Sequence, residues 1–144
     1  MAMKNKLTIL LFFVLTISFN IKAQVSIEKE LIGSWKVVNV HLLIDKIQPD
    51  QKEKIDMLEK AFLVSRFVFK ADKNFSFDFQ FKDMAVKKGH WKYNSETKSV
   101  IVQSWKDKDT EMNKLLEVVV KKEAGKMYFL IAETFFELEM KKEK

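Results

Sequence analysis

Hydrophobic residues recur at every second position through much of this chain. Phe75, Phe77, Phe79 and Phe81 alternate with Asn74, Ser76, Asp78 and Gln80, and upstream Phe67 and Phe69 alternate with Arg66, Val68 and Lys70. Successive side chains of a strand point to opposite faces, so a period of two marks strands with one buried face. The link Ala71-Asp72-Lys73-Asn74 has turn chemistry and joins the two runs into a hairpin. Further strands are predicted over residues 86–93, 99–105, 115–121, 126–132 and 135–140. Turn-like separators stand at 94–97, 123–125 and 133–134, and a longer charged loop at 106–113. With residues 33–43 at the front, the count is eight strands.

One segment breaks the alternation. Across residues 49–63, Ile55, Leu58 and Phe62 are spaced i, i+3, i+7, with Lys and Glu on the other face. Pro49 or Asp50 can start a helix there, and Glu53 suits its first turn. The spacing therefore predicts one amphipathic helix between the first and second strands. Eight short antiparallel strands in sequence suit an all-β, eight-stranded up-and-down barrel, which closes on itself and leaves no open edge. A two-sheet sandwich is the alternative, because alternation is common to both. Such a barrel has room inside for side chains or for one small ligand.

The first residues read as an address rather than as part of the fold. Lys4 and Lys6 precede the apolar run of residues 7–19, and Ala23-Gln24 offers a cleavage point. A basic start, a short apolar stretch and a small residue before the cut describe a secretory signal peptide, residues 1–23. An uncleaved anchor is the rival reading, although the run falls short of the about 20 residues a membrane span takes. The mature domain is then residues 24–144, periplasmic or secreted, with no stable membrane span after cleavage. The Ala23-Gln24 ending resembles signal peptides of Bacteroidota. Residues 1–23 hold three lysines and no acid, so removing them lowers the net charge from +6 to +3.

Composition narrows the chemistry further. With 47% hydrophobic residues the chain can bury a core. It has no Cys, which excludes disulfides, thiol nucleophiles and thiolate metal sites. His41 and His90 are the two histidines and stand far apart in the chain, so no metal pair is expected. A calcium loop at Asp107, Asp109 and Glu111 is interrupted by Lys106 and Lys108. Three glycines are too few for a phosphate-cradling loop, and no catalytic motif is present. No catalytic residue, no metal and no cofactor is expected, and the chain reads as a non-enzyme. Arg66 is the one arginine, and the lysines are interspersed with acids, which argues against nucleic acid as a partner.

Alternation assigns an inward face. If Trp35 points in, so do Val37, Asn39, His41 and Leu43, although Val38, Val40 and Leu42 opposite are apolar too. The helix either covers that outer face or lids the open end. Phe67, Phe69, Phe75, Phe77, Phe79 and Phe81 face inward on the second and third strands, as do Met127, Phe129, Ile131, Phe136, Leu138 and Met140 on the last two. The interior is then either packed solid or partly hollow. For a hollow barrel the candidate ligand-binding residues are Asn39, His41, Phe67, Phe69, Phe77, Phe79, Gln103 and Phe129. Gly33, Trp35 and Trp91 are read as structural: the glycine permits a tight bend, and the indoles are large plugs.

The run Leu31-Ile32-Gly33-Ser34-Trp35 carries a G-x-W on the first strand, and Gly89-His90-Trp91 carries a second. In this the chain resembles the lipocalin-like proteins, and more closely the small exported lipocalin-like domains of Bacteroidota. The resemblance spans about residues 31–140. The cysteines that many secreted lipocalins pair are absent here, and no arginine follows Phe135 to pack over the Trp of the motif. The resemblance implies an exported barrel that binds a small apolar or amphipathic ligand inside. The alternative is a non-catalytic cell-envelope interaction module with a packed core, whose partner is another envelope protein or a glycan.

Overall fold

The computed structural model describes residues 27–81 and 83–144. The expected leader, residues 1–23, lies outside the described residues. Residues 27–31 form a short helix, α1. From Ile32 onward the chain is one compact unit.

That unit is an all-antiparallel barrel of eight strands paired in chain order and closed by β1 on β8. The strands are β1 (Gly33–Leu42), β2 (Arg66–Phe69), β3 (Asn74–Asp78), β4 (Val86–Asn94), β5 (Ser99–Gln103), β6 (Lys114–Glu123), β7 (Lys126–Ile131) and β8 (Phe136–Lys142). The helix α2 (Lys52–Leu63) lies between β1 and β2. The barrel is therefore the correct alternative and the sandwich is not. Turn chemistry sets the hairpins. Lys73 takes a positive φ of 74°, and Asp72 accepts the Asn74 backbone N–H at 3.0 Å, which closes the β2–β3 turn. Gly125, at φ 77°, does the same between β6 and β7. Gly33 sits at φ 139° at the start of β1, where a side chain would be strained.

The aromatic alternation fills the barrel. Phe67, Phe69, Phe75, Phe77 and Phe129 are all buried. Phe129 lies at the centre, with ring centroids 5.5 Å from Phe67, 5.9 Å from Phe69 and 6.0 Å from Trp35. Trp91 stands edge-on to Phe69, and its Nε1–H donates to the Lys70 carbonyl at 2.9 Å. Trp35 is buried opposite Lys142 in the ladder, and the Lys142 ammonium lies 5.5 Å above its ring. A cation of the last strand thus covers this indole. Arg66 instead pairs with Glu143 at 2.6 Å.

The helix acts as a partial lid. Its Phe62 packs against Phe79 at 4.9 Å and Phe136 at 5.1 Å, at the end of the barrel where β8 begins. Ile55 and Ala61 are buried with it, while Leu58 is half-buried. Ser65 stops the helix by donating its hydroxyl to the Phe62 carbonyl at 2.7 Å.

Three expected inward positions of the first strand are corrected, Asn39, His41 and Leu43, the last being 54% exposed just past the end of β1. Asn39 and His41 lie on the outer face, because β1 carries a bulge. Val37 pairs with Met140 but Asn39 with Glu139, so one extra residue, Val38, inverts the alternation beyond it. Val40 and Leu42 consequently turn inward, opposite Leu138 and Phe136. The Asn39 Oδ1 accepts the Val40 N–H at 3.0 Å and completes the bulge. His41 Nε2 is 3.7 Å from Glu139 on the solvated side.

Candidate functional site

The polar candidates do not converge inside the barrel. Asn39 and His41 are outside it, as the β1 bulge dictates. Gln103 is fully buried, yet it does not face the interior. Val100 and Val102 hold the inward positions of β5, and Gln103 shares the outer face with His90, its partner in the ladder. What buries Gln103 is the segment 104–113, which folds back over β4 and β5 as a strap. The Gln103 Nε2 donates to the carbonyls of Thr110 at 3.0 Å and Met112 at 2.7 Å. A register shift between β5 and β6 at this point marks where the strap leaves the sheet.

His90 lies under the same strap. Its ring is 4.7 Å from Trp105 in an edge-on arrangement, and Trp105 Nε1–H donates to the Asn74 side chain at 3.0 Å. The His90 Nδ1 is buried with no hydrogen-bond partner among the described residues. Burial holds the His90 pKa below its ordinary 6.5, and Lys108, Lys92 and Lys73 add to that against the opposing pull of Asp109. The unfolded chain therefore takes up this proton first as pH falls. The contribution of neutral His90 is fully present above about pH 6.5 and is lost as pH drops through its lower native value. Urea titrations at pH 7.5 and 5 should show a larger acid loss of stability in the native chain than in His90→Gln. Equal losses would remove His90 from the account.

The aromatic candidates fall into two groups. Phe67, Phe69 and Phe129 pack on one another at the centre. Phe77 and Phe79 lie toward the end that α2 lids, with Phe79 touching Phe62. Here the lid is incomplete. Beside Phe62 a cleft of about 310 Å³ opens between β4 and the start of β6, with Phe77, Val86 and Ile131 among its walls. It exists because β5 is short: its pairing with β4 begins only at His90, so Val86–Gly89 runs on without a β5 neighbour. Met84 and Leu115, 46% and 54% exposed, form an apolar rim. Asp83, Lys87 and Lys88 are the charged groups at the edge. At this cleft the sequence marks Phe77 as a ligand candidate and reads Phe62 and Ile131 as core positions only, while Val86 and the rim are not singled out by it.

Among the described residues no group of three or more His, Cys, Asp or Glu is placed to hold a metal ion, and no helix is long and apolar enough to cross a membrane.

No protein-family model matches the sequence, and no curated protein is significantly similar to it. Among solved structures the chain is similar to a DUF4847 family protein from Bacteroides vulgatus ATCC 8482, determined at 1.00 Å resolution. The TM-score is 0.43 at 13% identity, over 78% of this chain and 94% of the other.

Proposed function

We propose that the chain is an exported, non-catalytic, lipocalin-like barrel that binds a small apolar or amphipathic ligand, held in the cleft beside α2 rather than at the centre. The observation that carries this reading is the meeting of core and surface at one place. Buried side chains of β3, β4 and β7 form the floor of the cleft there beside the lid residue Phe62, under a rim of exposed Met84 and Leu115. A volume of about 310 Å³ accommodates one alkyl chain or one small ring system, and ligand sites are mostly apolar with a few polar groups. The outer face is charged, with Lys36 on β1, Lys121 on β6 and Glu137 and Glu139 on β8. A barrel that crosses a membrane has the opposite arrangement, an apolar band outside. Export rests on the leader-like sequence of residues 1–23.

A neutral fluorescent probe such as Nile red tests the cleft. The native protein should give saturable emission, and decyl maltoside should displace it. Leu116→Trp, which fills the cleft from β6, and Leu115→Glu, which charges its rim, should each weaken binding about tenfold or more. Both should keep the circular dichroism of the native barrel. Saturable binding unchanged in both variants would place the probe elsewhere.

The filled centre supports a second reading, an envelope interaction module whose partner is a protein. Its contact surface would be the strap, where Met112 is 71% exposed and Trp105 stands half out of the sheet.

A further inference from the structure

A second groove lies across Lys87 and Lys88 from the apolar cleft. It is also about 310 Å³, on the outer face of β3 and β4, and its wall includes Lys70, Asn74, Ser76, Lys87 and Lys88. The two lysines belong to both walls. Their placement comes from a bulge. Phe75 pairs with Gly89 but Phe77 with Val86, so Lys87 and Lys88 together oppose Ser76. In a regular strand one of two successive side chains points inward. The bulge lets both lysines stay exposed while Val86 and Gly89 keep the inner positions.

Charge at this edge is unbalanced. Lys87 and Lys88 enter no ion pair among the described residues. Asp72, the carboxylate acting on Lys70, is already engaged by the backbone N–H and side-chain amide of Asn74. Asp83 is the acid on the cleft side. Two adjacent ammonium groups repel each other, and an anion that accepts from both relieves that repulsion with charge-assisted hydrogen bonds.

We propose that the ligand is an anionic amphiphile. Its apolar chain enters the cleft beside Phe62, and its acidic head group sits on Lys87 and Lys88, with Lys70 and the Ser76 hydroxyl beyond them. This rests on the cleft reading and adds the head-group charge to it.

Calorimetric titration of the full barrel with three probes of equal chain length, each kept below its micelle concentration, tests the charge. The probes are decyl phosphate, decyl maltoside and decyltrimethylammonium. Decyl phosphate should bind on the order of tenfold more tightly than the other two, with a preference that fades as salt rises. The double variant Lys87→Gln/Lys88→Gln should lose that preference, its affinities for decyl phosphate and decyl maltoside converging, while its circular dichroism stays that of the native barrel. Equal affinity for the three probes would overturn the head-group assignment and leave the cleft reading standing. No binding of any of them would end both. Inorganic phosphate serves as the fourth arm. If it displaces decyl phosphate at matched concentration, the basic groove is a plain phosphate site and the amphiphile assignment fails.

Discussion

Phe129→Ala is expected to cost about 3–5 kcal/mol of folding stability, the range for emptying a buried phenylalanine site. Phe129 is fully buried on β7 and touches Trp35, Phe67 and Phe69, which come from two other strands. Those neighbours are large rings held by the ladder, so they collapse poorly into the void. The loss combines transfer of the ring to water with the dispersion contacts that the lining rings forfeit. Urea unfolding should show a lower midpoint with an unchanged slope. A loss below about 1 kcal/mol would mean that the centre is loosely packed. Because the cleft lies at the lidded end and not at the centre, the folded variant should bind the neutral probe with native affinity. That result would separate stability from binding.

The second large effect is expected at Gly89. A Cβ added there would stand 2.8 Å from Val102 Cγ1, 3.0 Å from Val86 Cγ1 and 3.5 Å from Phe75 Cδ1. Those are inward positions of three different strands, so none swings away freely. Overpacking of this kind costs about 1–3 kcal/mol, and Gly89→Ala should fall in that range. Val102→Ala removes the nearest clash. The double variant Gly89→Ala/Val102→Ala should therefore be less destabilised than the sum of the single variants, by about 0.5 kcal/mol or more. Strict additivity in thermal or urea unfolding would show that the methyl is accommodated elsewhere. This contact gives the glycine of Gly89-His90-Trp91 a physical reason: its missing side chain leaves room for its neighbours inside the barrel.

The parts of the fold that could be read from sequence were those with uninterrupted rhythm. In the runs Phe67–Phe69 and Phe75–Phe79 every second residue is aromatic and the turn between the runs has its own chemistry, so strands, hairpin and inward face all follow. The same holds for Met127, Phe129 and Ile131. The first strand was ambiguous because both of its faces are apolar. The bulge at Val38–Asn39 decided the matter without a glycine or proline to announce it, and that sent Asn39 and His41 outward. Gln103 was misread for a related reason. The apolar run Val100–Val102 has no clean alternation, and the burial of Gln103 comes from a strap whose path depends on Trp105 and Thr110 contacts. The cleft was harder still. It arises from a difference in strand length, β5 stopping short beside β4, and from a helix that lids half an opening. Strand length and lid position are set by pairing across the barrel, so local pattern does not encode them. Phe62 was visible as the buried face of a helix, but what it covers was not.

Closure of β1 onto β8 also brings the beginning and end of the sheet side by side, with the Glu143 N–H donating to the Ser34 carbonyl at 2.8 Å. Every other strand pair is a neighbour in sequence. In architectural terms the eight strands are a ring with an arbitrary cut, and each hairpin tip is an equivalent place to cut it. A rearranged gene that joins residue 144 to residue 32 and opens the chain at Ala124-Gly125 would preserve every ladder described above. It would convert the single long-distance pairing into a short local one and leave the old β6–β7 hairpin as the seam.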